Sequence, residues 1–330
     1  MKKIIIIFIF FTCAYTNAQD AVFSQAFLVP ETLSASFTGA IKGTKLGALY
    51  KTQGTGSVSE VNSNFAFLDT WFEIYNIGLG VSILNQTNGG STYTFNQVNL
   101  NCSLAFQINN VWYFRPSVSA GFGMKSFGVQ NFLLGDQINI GDSPNNPTSV
   151  DPILLGSKRA FIDLSPSLLI HNEYSWIGIT VRHLNKPNVS ITQEGTDYLN
   201  MFWSIHAKYY IPFLENFRNS FASKSKMYLL SNYMKQGDFN RLDMGTQYSY
   251  DDRFSLGITA GIIPNKNDAN TSLMNSISTF ISFQSRGFKF GYSYEYNSTD
   301  LINTINTHEL SISYDFKINS RRLYRLKTFY

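Results

Sequence analysis

Alternation of apolar and polar side chains is the dominant pattern of this chain, and it is clearest between residues 286 and 318. Two arms, 287–296 and 308–318, place aromatic and aliphatic residues on one face and small or charged residues on the other. The first arm aligns Phe288, Phe290, Tyr292, Tyr294 and Tyr296. A two-residue period over about ten residues is typical of a β-strand that crosses a membrane, because its side chains alternate between lipid and a polar interior.

The same pattern predicts fourteen β-strands and therefore an all-β fold. Their predicted ranges are 43–51, 61–68, 74–85, 91–108, 111–125, 160–171, 174–183, 199–211, 225–235, 238–250, 253–262, 272–284, 287–296 and 308–318. A soluble sandwich also alternates along its strands. Long strands with aromatic residues near their ends, such as Trp71, Trp112 and Trp176, instead favour an antiparallel outer-membrane β-barrel.

The connections between the predicted strands differ in length on the two sides of the barrel. After even-numbered strands they are mostly tight, at Asn109-Asn110, Asn172-Glu173, Asp251-Asp252 and Ser285-Arg286. After odd-numbered strands they are mostly longer, at 52–60, 126–159, 184–198, 263–271 and 297–307. The exceptions are 212–224, which is long, and Gln236-Gly237, which is short. Outer-membrane barrels have short periplasmic turns and long extracellular loops, so an even strand count predicts that both termini are periplasmic.

The ends of the chain are predicted to lie outside the strands. Residues 1–18 have the form of a signal peptide, with two lysines, an apolar run and small residues before Gln19. Lipidation at Cys13 is the alternative, but the residues before that cysteine are large. The rest of the chain divides into residues 19–40, a flexible periplasmic lead-in or a plug of the lumen, 41–318, the transmembrane barrel, and 319–330, a basic periplasmic tail.

Composition agrees with an exported membrane barrel. The chain has 26 basic and 22 acidic residues, and this near balance argues against a nucleic-acid partner. Charged residues make up 15% of the chain and aromatic residues another 15%, a mixture that suits a lipid-facing outside around a polar inside. Without the signal peptide only Cys102 remains, so we expect no internal disulfide.

Alternation also predicts which charged side chains line the lumen. They are Arg115, Lys125, Asp163, Arg182, Lys208, Arg241, Asp243, Lys289, Glu295, Asp315 and Lys317. Both signs are well represented, which suits salt-bridge networks across a plugged lumen or a weakly selective channel and does not suit a strongly selective pore. Fourteen strands fall between the filled eight-stranded and the open sixteen-stranded classes, so residues 19–40 are the candidate plug.

Residues that could carry out chemistry are scattered. The four histidines include no pair with the spacing of metal ligands. Ser167 and His171, a pair that a barrel lipase could use, lie on one face of one strand but about 13 Å apart, although a partner from another strand stays open. The loop 126–159 is acidic but lacks the ligand repeat of a calcium site. We therefore expect no enzymatic activity, cofactor or metal ion.

Four stretches together form a further pattern. The first, AQDAVFSQAF, leads to a turn in which Phe37 and Gly39 stand. The second, DLSPSLLIHNEYSWIGITVRHLNKPN, ends with His183, Leu184 and Pro187, and LNMFWSIHAKYYIP follows it. The fourth is the closing hairpin, GYSYEYNSTDLINTINTHELSISYDF. In this order they resemble the PorP/SprF family of outer-membrane proteins of the type IX secretion and gliding apparatus of Bacteroidota. The Asn-Pro of the family's first turn is absent here.

The resemblance implies a noncatalytic 14-stranded barrel that works with the secretion machinery. It implies that the protein anchors a cognate secreted, adhesin-like client at the cell surface through the client's C-terminal domain. A channel for small solutes is the alternative that the barrel itself allows. The charged residues of the two longest predicted loops are then candidates for contact with the client. They are Asp136, Asp142, Asp151, Lys158, Arg159, Lys186, Glu194 and Asp197.

Overall fold

The computed structural model describes residues 20–55, 60–89, 93–128, 158–190, 195–212, 224–264, 274–297 and 306–316. The strands are β1 (Thr44–Gln53), β2 (Val61–Phe72), β3 (Ile77–Asn88), β4 (Tyr93–Leu104), β5 (Phe106–Gln107), β6 (Tyr113–Phe127), β7 (Lys158–His171), β8 (Trp176–Arg182), β9 (Phe202–Ile211), β10 (Ser225–Gln236), β11 (Phe239–Tyr250), β12 (Phe254–Ile262), β13 (Met274–Ser285), β14 (Phe288–Asn297) and β15 (Thr307–Phe316). The described residues also form three 3-10 helices, Pro30–Thr32, Ala35–Phe37 and Glu73–Tyr75. Within the described ranges, no helix is long and apolar enough to cross a membrane.

The strands close into one antiparallel barrel. Neighbouring strands in the sequence pair with each other, and β1 pairs with β15 along its whole length, from Thr44 opposite Phe316 to Gln53 opposite Thr307. The short β5 is separated from β4 by Ala105, and both pair with β6, so they act as one barrel strand. The predicted fourteen-stranded barrel is therefore confirmed, including the pairing of its first strand with its last.

Some predicted strand ends are displaced, and the third strand shows why. The sequence predicts it at 74–85, but β3 begins at Ile77. Residues Glu73–Tyr75 form a 3-10 turn, and Asn76 then takes a left-handed φ of 52°. Ile74 and Tyr75 lie in this turn, and their apolar side chains extend the alternation beyond the strand. The alternation of apolar and polar residues therefore does not show where β3 begins.

The two rims of the barrel differ as predicted. The rim that we call the short-turn rim has the connections 73–76, 108–112, 172–175, 212–224, 251–253 and 286–287. The opposite, long-loop rim has 54–60, 89–92, 128–157, 183–201, 237–238, 263–273 and 298–306. Residues with positive φ make the tight turns possible, as at Asp251 (54°), Asp252 (53°) and Gly287 (90°).

Side chains alternate between the two faces of the barrel wall, as the closing strands show. In β14, Phe288 and Phe290 are 44% and 50% exposed, whereas Lys289 and Glu295 are buried. The same relationship holds in β15, where Leu310 and the other apolar residues face outward. An apolar outer face around a polar interior is the arrangement that a lipid bilayer requires of a barrel.

Residues Asp20–Gly43, which we call the lumen segment, lie inside the barrel and form its main hydrophobic core. Phe23 and Phe37 are buried there. The ring of Phe23 lies 6.1 Å from that of Phe65 in β2, and the ring of Phe37 lies 5.1 Å from that of Trp176 in β8. Inward aromatic residues of the wall thus find apolar partners inside the lumen instead of water.

The lumen segment runs from the long-loop rim to the short-turn rim. Asp20 contacts His183 at the long-loop rim, whereas the carbonyl of Thr38 accepts a hydrogen bond from Arg115 near the short-turn rim. The last strand ends at Phe316, also at the short-turn rim. The two ends of the described chain, Asp20 and Phe316, therefore lie at opposite rims. Residues 1–19 and 317–330 lie outside the described residues, so the expectation that both termini are periplasmic stays a prediction.

The described parts of the connection between β8 and β9, residues 183–190 and 195–201, fold back over the mouth of the lumen. Its residues Val189 and Leu199 are buried against Phe95 of β4 and Phe161 of β7. The backbone N–H of Val189 donates to the carbonyl of Asp197 at 2.7 Å, which holds the two arms of the connection together. This connection therefore narrows the long-loop mouth above the lumen segment.

The wall between β7 and β8 is built differently from the rest. These strands pair only from Ser167 to His171, although β7 continues towards the long-loop rim. There the side chain of Asn185 replaces a strand partner. Its Oδ1 accepts from the backbone N–H of Leu164 at 3.1 Å, and its Nδ2 donates to the carbonyl of Ile162 at 2.7 Å. One amide side chain thus satisfies backbone groups that a ladder would otherwise pair.

Candidate functional site

A buried ionic cluster holds the start of the lumen segment at the long-loop rim. The Asp20 carboxylate lies 2.9 Å from Nε2 of His183 and 3.6 Å from the guanidinium of Arg182. The other ring nitrogen of His183, Nδ1, lies 3.0 Å from Asp163 in β7. Gln236 at the end of β10 donates a further hydrogen bond to Asp20 at 3.1 Å. His183 therefore bridges a carboxylate of the lumen segment and one of the wall.

The two members of this cluster that lie outside the strands have shifted pKa values. Burial opposes the charge on Asp20, but His183 and then Arg182 outweigh it and hold the pKa of Asp20 well below its ordinary value. Burial also opposes the charge on His183, yet Asp20 and Asp163 together raise the pKa of His183 to about 9. At neutral pH the contact is therefore an ion pair.

Backbone groups attach the middle of the lumen segment to the last two strands. The N–H groups of Ser24 and Gln25 each donate to the carboxylate of Glu309 at 2.8 Å. The hydroxyl of Ser24 also donates to Glu295 at 2.5 Å. The bonds to Glu309 come from backbone N–H groups and depend on the conformation of the segment, whereas the bond to Glu295 depends on the Ser24 side chain.

A third attachment lies near the short-turn rim. The guanidinium of Arg115 donates to the carbonyl of Ser36 at 3.0 Å and to that of Thr38 at 2.6 Å. The N–H of Gly39 donates to Asp69 at 2.8 Å. Arg115 is 1% exposed, so its charge is stabilised mainly by carbonyl oxygens of the lumen segment. The wall thus contacts the segment at both rims and in between.

Several predicted lumen residues form direct contacts with one another or with the lumen segment. Arg241 pairs with Asp243 at 2.6 Å and with Glu295 at 2.8 Å. Lys289 donates to the carbonyl of Leu28 at 3.3 Å. Opposite charges on the inner face therefore pair along one wall strand, β11, and between β11 and β14.

The remaining predicted lumen residues stand apart from these pairs. Lys208 donates to Gln247 at 3.0 Å and lies over the ring of Tyr228. Lys125 is buried beside a small cavity, and Asp315 is half-buried. Lys317 lies outside the described residues.

The part of the lumen nearest the long-loop rim encloses a cavity of about 90 Å³. Its lining includes Asp20, Glu31, Lys125, Asp163 and His183. A water molecule occupies about 30 Å³ of liquid, so the space admits a few waters and is too small for a typical ligand of 300 Å³ or more. The interior is therefore largely filled by the protein's own chain.

Of the two chemistries that the sequence raised, the structure describes the residues of the Ser167–His171 pair only. The hydroxyl of Ser167 lies 2.6 Å from that of Ser117, and the ring of His171 stacks on Tyr113 at 5.4 Å. Within the described ranges, no three His, Cys, Asp or Glu side chains are grouped to hold a metal ion. The loop that contains the candidate calcium ligands Asp136, Asp142 and Asp151 falls largely outside those ranges.

The candidate contact residues at the long-loop rim are partly described. Lys158, Lys186 and Asp197 are exposed, and Nε of Arg159 donates to the carbonyl of Asn188 at 3.4 Å. Together with the exposed ring of Tyr198 (61%) they surround the mouth that the 183–201 connection narrows. The other candidates, Asp136, Asp142, Asp151 and Glu194, lie outside the described residues.

Residues that attach the lumen segment include several that alternation did not single out. They are Asp20, Glu31, Lys45, Asp69 and Glu309. A signal for them was present in β2, where Phe65, Phe67 and Asp69 share the inward face. Aromatic side chains pointing into a polar lumen indicate an apolar partner there, and the first aromatic residues after the signal peptide, Phe23 and Phe27, supply it.

Solved structures with similar folds include outer-membrane barrels. The CymD monoaromatic hydrocarbon channel is 14% identical, with 92% of this chain and 96% of that chain covered and a TM-score of 0.49. The P. putida toluene transporter TodX is 7% identical, with 86% and 92% covered and a TM-score of 0.49. The KdgM porin is 9% identical, with 83% and 99% covered and a TM-score of 0.34. A search of curated proteins finds no match.

Fold and site together define an outer-membrane β-barrel whose lumen is occupied by its own N-terminal segment. The family described as type IX secretion system membrane protein PorP/SprF matches residues 15–314 of the chain. The protein belongs to this PorP/SprF family, which confirms the resemblance noted in the sequence. It is therefore an outer-membrane barrel of the type IX secretion system.

Proposed function

We propose that this protein is a noncatalytic anchor that holds a secreted, adhesin-like client at the cell surface through the client's C-terminal domain. The observation that carries the proposal is the filled lumen. Contacts at both rims and between them fix the lumen segment inside the barrel, so the interior offers little room for a solute. The surfaces that remain for function are then the rims.

The long-loop rim is the proposed client-binding surface, facing the cell exterior. Its exposed residues Lys158, Lys186, Asp197 and Tyr198 combine both charges with an aromatic side chain, a composition found in protein–protein interfaces. We assign the short-turn rim and the basic tail, residues 319–330, to the periplasmic side, where other secretion components would meet the barrel.

Affinity capture tests this assignment. The protein is tagged at its C terminus, isolated from the cells that make it, and the copurifying proteins are identified. We expect a secreted protein with a type IX C-terminal domain and at least one secretion component. Capture that yields neither, from correctly folded protein, contradicts the proposal.

A charge-reversal variant locates the surface. Lys186→Glu combined with Asp197→Lys should reduce client recovery about tenfold, because altered rim charges affect recognition while leaving the barrel intact. The matched control is Lys224→Gln, an exposed residue at the short-turn rim, which should leave client recovery unchanged. An equal loss from both variants places the binding surface elsewhere.

The alternative function, a channel for small solutes, predicts a different result in planar bilayers. The full-length protein should show no steady conductance at rest, since the lumen segment fills the interior. Stable open conductance from the wild-type protein favours the channel.

The family also supports the absence of catalysis, which an assay for lipase activity with Ser167→Ala as the control would check.

A further inference from the structure

A groove of about 560 Å³ lies on the outer face of the barrel at the long-loop rim, outside the lumen, and shares Lys186 with the proposed client surface. It spans β8, β9 and β10. Its lining includes Ile179, Lys186, Trp203, Ile205, Tyr233 and Lys235. Apolar and aromatic side chains thus share the groove with two lysines.

Strand register arranges these side chains in two rows. Ile179 in β8 lies opposite Ile205 in β9, and Ile205 lies opposite Tyr233 in β10. The row nearer the long-loop rim places Trp203 opposite Lys235. Ile179, Ile205 and Trp203 are all more than 40% exposed. Two isoleucines and a tyrosine therefore form the row farther from the rim, and a tryptophan and a lysine form the row nearer to it.

The surrounding connections leave this groove open on its lipid side. Only two residues, 237 and 238, link β10 to β11. The described parts of the longer connection, 183–190 and 195–201, fold inward, because Val189 and Leu199 are buried over the lumen. Lys186 stands at the point where that connection turns, with a φ of 43° and its N–H donating to the carbonyl of His183 at 3.0 Å.

We propose that the groove binds a phosphate-bearing anionic lipid of the surrounding leaflet. The acyl chain lies along Ile179 and Ile205, and the phosphate lies between Lys186 and Lys235. Positive charge predominates here, since the described residues of the lining include two lysines and no acidic residue. The groove also forms part of the face that contacts the bilayer, so lipid molecules are present beside it.

Charge complementarity selects this occupant over a zwitterionic lipid. Each lysine near a membrane surface raises the occupancy of an anionic lipid by roughly fivefold, and Trp203 and Tyr233 have the amphipathic rings that lie at the level of lipid headgroups. A zwitterionic lipid has the same acyl chains but gains little from the lysines. The lipid site shares Lys186 with the proposed client surface, but it is built on the lipid-facing wall of the barrel and does not require a client.

Quenching of Trp203 fluorescence by brominated lipids tests the proposal. Full-length protein is reconstituted in phosphatidylcholine vesicles that contain an equal minor fraction of either brominated phosphatidylglycerol or brominated phosphatidylcholine. The signal of Trp203 is the difference between the wild-type protein and Trp203→Phe. We expect the anionic lipid to quench this signal several-fold more than the zwitterionic lipid does.

Variants connect the preference to the lysines. Lys186→Gln combined with Lys235→Gln should make the two lipids quench equally, whereas Lys158→Gln, exposed at the same rim but outside the groove, should keep the preference. Circular dichroism and heat-dependent gel mobility establish that each variant is folded. Equal quenching by both lipids in the folded wild-type protein, or an unchanged preference in the double variant, overturns the proposal.

Discussion

The Oδ1 atom of Asp20 lies 2.9 Å from the Nε2 atom of His183, although the two residues are 163 positions apart in the sequence. Their side chains are 13% and 2% exposed. A buried charge that loses its partner is strongly destabilised, because the protein interior solvates it poorly. This pair therefore controls how firmly the start of the lumen segment is held against the wall.

Asp20→Asn should release the first part of the lumen segment while the barrel stays folded. We expect amide hydrogen exchange over residues 20–29 to become faster, corresponding to a loss of about 2 kcal/mol, less than for an isolated buried pair because Asp163 still contacts His183. Hydrogen exchange with mass spectrometry in detergent measures this. Lys158→Gln, at the same rim and exposed, is the control. Unchanged exchange in Asp20→Asn would show that the pair contributes nothing to attachment.

Attachment of the lumen segment should weaken at high pH. The raised pKa of His183 means that its contribution is fully present below 6.5, the ordinary value, and is lost as the pH rises through about 9. Asp20, Asp163 and Arg182 are the charged groups facing it. After correction for the intrinsic pH dependence of amide exchange, the exchange rate over residues 20–29 should stay constant from mildly acidic pH to pH 6.5. It should then increase as the pH rises towards 9.

The same linkage has an acid side with the opposite sign. The depressed pKa of Asp20 means that its contribution is present above 3.8 and is lost as the pH falls through the lower value that it has in the folded protein.

His183→Gln is the control for the alkaline effect. It should remove the alkaline increase in exchange, because an amide does not titrate in this range. An alkaline increase of the same size in His183→Gln would assign the effect to lysines or tyrosines instead.

Strand number, rim asymmetry and the outward face could be predicted because each follows from a local period of two residues. The closing hairpin shows this: Phe288, Phe290 and Leu310 alternate with lumen residues and are exposed where the pattern places them. Glu73–Tyr75 shows the limit, since a turn that contains apolar residues continues the same period.

The attachment of the lumen segment could not be predicted in the same way. It depends on contacts between residues far apart in sequence, such as Ser24 with Glu309, and on backbone groups, such as the carbonyl of Thr38 that accepts from Arg115. The sequence did identify Arg115 as inward and residues 19–40 as a candidate plug. Alternation alone does not show which residue of the plug contacts which residue of the wall.

Gly78→Ala should disturb the end of the lumen segment near the short-turn rim. A Cβ atom at Gly78 would lie 2.1 Å from the carbonyl oxygen of Thr38, so the backbone of the segment has to move away. That carbonyl accepts from Arg115 and Ser103, and losing these bonds leaves a buried guanidinium poorly satisfied. We expect a loss of about 2–3 kcal/mol.

Gly89→Ala is the matched control for Gly78→Ala, because the nearest atom to its added Cβ is the Glu60 carbonyl oxygen at 3.7 Å, an ordinary contact. Thermal unfolding followed by gel mobility compares the two variants. A midpoint for Gly78→Ala equal to that of the control would mean that the segment does not pack against this point of the wall.

Ile312→Arg tests whether the outer face of β15 meets lipid. Ile312 lies near the middle of the strand, opposite Ala48 of β1 and Phe290 of β14, and is 43% exposed. An arginine on the lipid face near the bilayer midplane destabilises a barrel by about 2–4 kcal/mol. Reversible unfolding by denaturant in lipid vesicles measures the change. Ile312→Val, which keeps the face apolar, should lose about 1 kcal/mol or less. If Ile312→Arg inserts and unfolds like Ile312→Val, this face lies outside the hydrocarbon region, and the position of the barrel in the membrane has to be revised.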